Sequence, residues 1–312
     1  MNELQIISGN SLTAAQPITE ELYNRFIAYI DAKPKTIETY TRALKQFFAY
    51  LNLNGIARPS REDIIAFREE LKPNHKPTTV QNYITTVRQF FKWTEQERIY
   101  PNVADRIKGA KLDAAHKKDY LTSKQVKTIL SGIDRSSLQG LRDYSIVVLM
   151  ITAGLRTIEV IRADIEDLRA VGDSTALYIQ GKGKDEKTDY VKVAEPAEDA
   201  IRAYLKARGE TEPKQPLFTS EANRNNGERL TTRSVSRIVK EALIEAGYDS
   251  DRLTAHSLRH TAATLNLLNG GSLAETQQLL RHTSINTTMI YNHQLDRAKN
   301  NSEARVAKAI FG

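Results

Sequence analysis

The first chemical question comes from a tyrosine near the end of the chain. Tyr291 stands in "TTMIYNH", with apolar residues before it and a histidine after it. A phenol there is either a ring for a helix core or an oxygen held ready as a nucleophile. His282 lies nine residues upstream, in "LLRHTSINTT". In "HSLRH", His256 and Arg259 stand at i and i+3, on one face of a helix, with His260 at i+4 from His256. Two histidines so spaced resemble a metal pair, but HExxH requires a carboxylate between them and this stretch has none, so metal is the weaker reading. Arg156 follows Gly154 in "TAGLRTIEV", with Glu159 three residues on. An arginine beside an apolar run needs a carboxylate partner or an anion, so taken alone this stretch reads first as a structural Arg156–Glu159 pair and second as an anion site. Taken singly, each of these residues has a structural use.

The elements that must position them are mostly helices. From Thr19 to about Ile99 the apolar residues recur at helical spacing. Leu22, Phe26 and Ile30 form one stripe; Ile37, Tyr40, Leu44 and Phe47 form another. "SREDIIAFREEL" opens with Ser60 and Asp63 as a helix start, and "TTVQNYITTVRQFFKWTEQ" completes a four-helix module. "KGAKLDAAHKKDY" is polar, basic and aperiodic, and reads as a linker over 108–120. Thr122 then starts another helix, and "LRDYSIVVLMITAGL" is apolar nearly all round, as a buried central helix should be. "ALYIQ" and "DYVKV" flank "GKGKDEKT" and predict a two-stranded hairpin carrying Lys182 and Lys184 on its turn. Helical periodicity is expected from Ala197 to the end, with "SLAE" at 272–275 as a capping box. The expected fold class is mainly α with a small β-sheet.

Composition narrows the function classes. The 312 residues suit two cores, and 45 Lys and Arg against 38 Asp and Glu give a formal charge of +7 and a pI near 9.3. That balance favours a polyanionic partner. There are no cysteines, which excludes disulfides, thiolate zinc sites and cysteine nucleophiles. No signal pattern opens the chain, and the longest apolar run, "IVVLMI" at 146–151, is too short to span a bilayer. A cytoplasmic protein without a membrane partner is expected.

In order along the chain, Arg156, Lys182, His256, Arg259, His282 and Tyr291 resemble the active-site set of the tyrosine site-specific recombinases, of phage-integrase and Xer type. The resemblance covers about residues 19 to 295. It implies a helical core-binding (SAM-like) domain over 19–107 after an N-terminal extension 1–18, and the linker 108–120. An α+β catalytic domain over 121–312 follows, ending in a tail helix at about 302–312. Two positions depart from the family pattern. Arg281 stands where a glycine usually precedes the second histidine, which puts the local loop geometry in doubt, and Val103 stands where a proline usually follows Asn102.

The resemblance implies transesterification of DNA. Tyr291 would form a 3′-phosphotyrosyl bond, and Arg156 and Arg259 would fork onto the non-bridging phosphate oxygens. Lys182 would protonate the leaving 5′-oxygen. His256 and His282 would hydrogen-bond the phosphate, and Glu159 would orient the site. Tyr291's hydroxyl should then face the cleft. No metal or other cofactor is implied. By the same resemblance, Thr39, Arg42, Lys45, Gln81, Arg88, Lys184, Thr232, Arg233 and Ser234 are candidate DNA contacts, while Tyr40 and Tyr83 read as core. The implied partners are double-stranded target sites, a tetramer of this chain on two sites, and an accessory directionality factor. With the first core-binding helix starting near Thr19, no arm-site-binding domain is expected. Integration or excision of a mobile element is the expected role, with Xer-type resolution of chromosome dimers as the alternative. A type IB topoisomerase-like nickase and a non-catalytic DNA-binding protein are the remaining classes.

Overall fold

In a computed structural model of the chain, the described residues are 19–111, 119–181, 184–209, 211–291 and 301–311. The expected extension 1–18 and the catalytic candidate Lys182 lie outside them. The chain divides between residues 115 and 116 into two compact units.

The first unit holds α1 (Glu20–Tyr29), α2 (Pro34–Leu53), α3 (Arg61–Leu71) and α4 (Pro77–Gln96). Their starts follow local chemistry. Proline occupies the first turn of α2 and α4, where its missing N–H costs nothing. Ser60 caps α3 in a reciprocal box, with its own backbone N–H donating to Asp63 Oδ2 at 2.7 Å. The helices bury an aromatic core in which Phe26 meets Phe90 edge-on at 5.3 Å and Phe47 meets Phe67 at 5.1 Å. Each such ring removed from water contributes on the order of 1.5–3 kcal/mol. Tyr83 is buried and Tyr40 packs partly against the same core. Val103 also packs there, in place of the expected proline. Thr39, Arg42, Lys45 and Arg88 are exposed and Gln81 is half-buried.

The second unit begins with α5 (Ser123–Gly132) and α6 (Leu138–Ala153). Residues Ile146 to Ile151 of α6 are all buried, and the helix packs against α8 (Glu195–Arg208), α9 (Thr232–Glu245) and α10 (Ala255–Leu268). Gly154 ends α6 in the left-handed conformation at φ 59°, where glycine carries no Cβ penalty. α7 (Thr157–Arg162) leads to three antiparallel strands, β1 (Leu168–Val171), β2 (Ser174–Ile179) and β3 (Asp189–Lys192), in that spatial order. The hairpin of β2 and β3 was expected; β1 was not. Its residues lack an apolar alternation because three of its four side chains are exposed. Lys187, after the turn, is held by Asp164 and Asp167.

Helical order does not continue unbroken from Ala197. Between α8 and α9 the chain runs through turns and isolated bridges, Asp164 with Pro216 and Thr219 with Arg229. Pro213 and Pro216 lie in this stretch and lack the N–H that a helix needs. After α10 come α11 (Leu273–Leu280), a helix over 285–291 that we call α12, and α13 (Ser302–Phe311). No residue of α13 is buried, and Val306, Ile310 and Phe311 are 56%, 65% and 86% exposed. Among the described residues no helix is long and apolar enough to cross a membrane.

Candidate active site

Three chain reversals bring the polar residues together. The left-handed stop at Gly154 turns the chain so that Arg156 precedes α7. Glu159, fully buried, reaches back to it: the Arg156 backbone N–H donates to Oε2 and its Nη1 donates to Oε1, both at 2.8 Å. The structural pair and the candidate site are therefore one object. Arg156 keeps 28% of its side chain exposed, enough to reach a ligand.

α10 supplies the second group. Arg259 is 1% exposed and donates from Nη1 to the Gly154 carbonyl and from Nη2 to the Leu280 carbonyl. It thus ties the end of α6 to the end of α11. Burial, with the Arg156 and Arg281 charges adding to it, lowers the Arg259 guanidinium to about 9, so it remains charged at neutral pH. His256 is exposed one turn away, and its ring meets His260 edge-on at 4.5 Å.

The third reversal is at Arg281. It takes φ 53° and ψ 46°, the conformation a glycine would favour, so the expected doubt about this loop resolves into a glycine-like turn made by an arginine. For a residue with a Cβ this costs roughly 1–2 kcal/mol. The turn delivers His282, whose Nδ1 lies 2.9 Å from Thr288 Oγ1 on α12. Burial first, then the charges of Arg259, Arg156 and Arg281, lower the His282 imidazole to about 4, so it is neutral at pH 7.

Tyr291 departs from expectation. It is 4% exposed, packed with Ala263, Leu280 and Leu267, and its ring lies 5.2 Å from His260. The hydroxyl was expected to face the cleft; the packing of α12 on α10 and α11 encloses the side chain instead. Burial raises the phenol's pKa, opposed by the Arg259 and Arg156 charges.

The site gathers Arg156, Glu159, His256, Arg259, His282 and Tyr291. Lys184 pairs with Asp189 at 2.6 Å on the hairpin. Thr232, Arg233 and Ser234 begin α9, where Arg233 and Ser234 line a cavity of about 510 Å³ away from the catalytic candidates. The α9 residues beside the site are Ser236 and Lys240, which share a cleft of about 630 Å³ with Arg156 and His256. Sequence reasoning missed both, although their i, i+4 spacing on a basic helix was the available signal. It missed His260 as a neighbour of the tyrosine too.

The family described as "Phage integrase family" matches residues 119–298, and "Phage integrase, N-terminal SAM-like domain" matches 23–98. The chain is 28% identical over 305 residues to "Tyrosine recombinase XerC" of Caldanaerobacter subterraneus subsp. tengcongensis, covering 89% of this chain and 83% of that protein. It is 32% identical over 229 residues to "Tyrosine recombinase XerC" of Chlamydia trachomatis serovar D, covering 72% and 70%. Among solved structures it resembles the XerH site-specific recombinase bound to palindromic difH substrate, at TM-score 0.70 and 22% identity, covering 89% of this chain and 83% of that one. It also resembles a lambda integrase tetramer bound to a Holliday junction, at TM-score 0.70 and 18% identity, covering 93% and 81%. The chain belongs to the phage integrase family, the tyrosine recombinases, which cleave and rejoin DNA through a tyrosine intermediate in site-specific recombination.

Proposed function

We propose that Tyr291 is the nucleophile and that the six residues read from the sequence divide the reaction between them. The phenol oxygen attacks phosphorus, the P–O5′ bond breaks, and a 3′-phosphotyrosyl link forms. His256, exposed beside the site, takes the phenol proton, and Lys182 returns a proton to the departing 5′-oxygen. Arg156 and Arg259 neutralise charge on the non-bridging oxygens, where planar forks act better than ammonium groups. Neutral His282 donates one hydrogen bond, its other ring nitrogen being occupied by Thr288. Glu159 fixes the Arg156 fork. Because Tyr291 is packed away in this structure, cleavage requires α12 to turn its phenol outward. The reverse attack by another strand's 5′-hydroxyl conserves the phosphate bond, so no cofactor enters the scheme.

The observation that carries this reading is that Arg259 bonds the carbonyls of Gly154 and Leu280, which stand two residues before Arg156 and His282, while the Arg259 and Arg156 charges oppose the rise in the Tyr291 phenol's pKa. Double-stranded DNA is the substrate this cluster fits, with Thr39, Arg42, Lys45, Gln81, Arg88, Lys184, Thr232, Arg233 and Ser234 as phosphate or groove contacts. Four copies assemble on two sites, each passing α13 to a neighbour; its exposed apolar face is what supports exchange between copies. By resemblance, the chain's ending, with Arg281 in the glycine position, looks closer to mobile-element integrases, and a directionality factor would accompany that role. Chromosome-dimer resolution is favoured by the XerC names of the relatives. Deleting the gene separates the two: loss of a circular excision junction supports the first, accumulation of chromosome dimers the second. Nicked duplexes tiled across the flanking DNA test the chemistry. Covalent adducts with strand exchange are expected. Plasmid relaxation without paired sites would indicate a topoisomerase, and the absence of any adduct would indicate a binding protein.

A further inference from the structure

Arg281 is not used by this scheme, yet its setting is unusual. It holds a left-handed backbone conformation that disfavours any side chain with a Cβ. Its side chain is 11% exposed and turns inward rather than to solvent. Nη1 donates to the Leu279 carbonyl at 2.6 Å and to the Ala153 carbonyl at 3.3 Å. Nη2 donates to Glu159 Oε2 at 2.8 Å and to the Gly154 carbonyl at 3.3 Å.

Glu159 therefore has an arginine on each oxygen. Oε1 takes the Arg156 guanidinium, and Oε2 takes Arg281 together with the Arg156 backbone N–H. Without Arg281, Oε2 would be held only by the Arg156 backbone N–H, and the carboxylate could tilt about its last torsion with the Arg156 guanidinium following it. A guanidinium on each oxygen removes that freedom. Gly154, between the two sets, receives Arg259 as well.

We propose that Arg281 is a positioning residue for DNA cleavage: through Glu159 it locks the orientation of the Arg156 fork, and its charge adds to the field that receives the phosphate. Supporting this, burial alone would raise the Glu159 carboxyl, and the Arg281 charge is the largest single influence holding it down. Without Arg281 the site would keep Arg156 and Arg259 but hold Arg156 by one carboxylate oxygen and a backbone bond. The inference rests on the reading of Arg156 as a phosphate ligand.

The test compares Arg281→Gly and Arg281→Lys with the unaltered protein, each with and without Glu159→Gln. The readouts are melting temperature, affinity for a cleavable nicked duplex, and single-turnover adduct formation. Glycine relieves the backbone, so Arg281→Gly should hold its fold and bind DNA within about twofold, while adduct formation falls roughly 10- to 100-fold. Lysine keeps the charge and one bond to Glu159, and should recover part of the rate. In the Glu159→Gln background, removing Arg281 should cost less than about threefold more, because the shared carboxylate link is already broken. Should the glycine variant prove poorly folded, the lysine variant carries the same comparison. A normal cleavage rate for Arg281→Gly, or an undiminished loss in the Glu159→Gln background, would overturn the proposal alone. If the unaltered protein forms no adduct that depends on Tyr291, the reading beneath it falls as well.

Discussion

The proposed scheme gives Arg259 two jobs, and substituting it should separate them. Its guanidinium commits one N–H to the Gly154 carbonyl and one to the Leu280 carbonyl. Arg259→Ala removes two charge-assisted hydrogen bonds to buried carbonyls, at ~1.5–3 kcal/mol each. Two effects reduce the sum: Arg281 still reaches the Gly154 carbonyl at 3.3 Å, and repulsion from Arg156 and Arg281 is relieved. The net loss should be about 2–4 kcal/mol, or roughly 4–16 °C in melting temperature for a unit of this size. Arg259→Lys keeps the charge and can satisfy one carbonyl, so it should melt within ~1–2 kcal/mol of the parent. It cannot present a planar fork to phosphate, however, and cleavage should fall by ~10²–10³, as when one donor to a developing anion is lost. Thermal unfolding of the DNA-free protein gives the first quantity and a denaturing gel of labelled duplex the second. An alanine variant that melts with the parent would refute the stapling role, and a lysine variant that cleaves normally would refute the phosphate role.

Three further outcomes follow from the proposed division of labour. Lys182→Ala should slow cleavage by ~10²–10⁴ on a normal substrate, and a 5′-bridging phosphorothiolate, which leaves without a proton, should restore most of the rate; an equally slow mutant on both substrates would transfer the role to Lys184. Cleavage should survive EDTA, because Arg156, Arg259 and Lys182 supply the charge, while affinity falls with salt at a log–log slope near −0.9 per phosphate neutralised; rescue by magnesium after chelation would contradict this. Deleting Ser302 to Gly312 should leave the melting temperature and single-site binding unchanged, since α13 buries nothing, and should sharply reduce cooperative binding and strand exchange; a large drop in melting temperature would show that the tail belongs to its own domain.

Much of the local structure was legible because short motifs determine it. Ser60 with Asp63, Thr122 with Gln125 and Ser272 with Glu275 all form reciprocal caps, and Gly154 stops α6 where the apolar run ends. These depend on residues three or four apart, which the sequence displays directly. What was not legible depends on distant partners. β1 is an exposed edge whose pairing with β2, not its own composition, makes it a strand. Arg281 could not be read as buried, since its partners Glu159, Ala153 and Gly154 lie more than a hundred residues away. Tyr291 is the sharpest case. Residue order identified it, but whether its hydroxyl is open or enclosed depends on Ala263, His260 and Leu280 across two other helices.

In the proposed reaction Tyr291 becomes covalently attached to DNA. The most direct test incubates the protein and Tyr291→Phe with end-labelled nicked duplexes tiled across the flanking DNA, followed by denaturing electrophoresis. The two proteins differ by one oxygen atom on a buried ring, so they should fold alike and bind the same duplex with the same affinity. The parent should yield a protease-sensitive, slowly migrating band attached through a 3′-phosphate, and the phenylalanine variant should yield none. Adduct formation by Tyr291→Phe, or attachment mapped to another residue of the parent, would contradict the account.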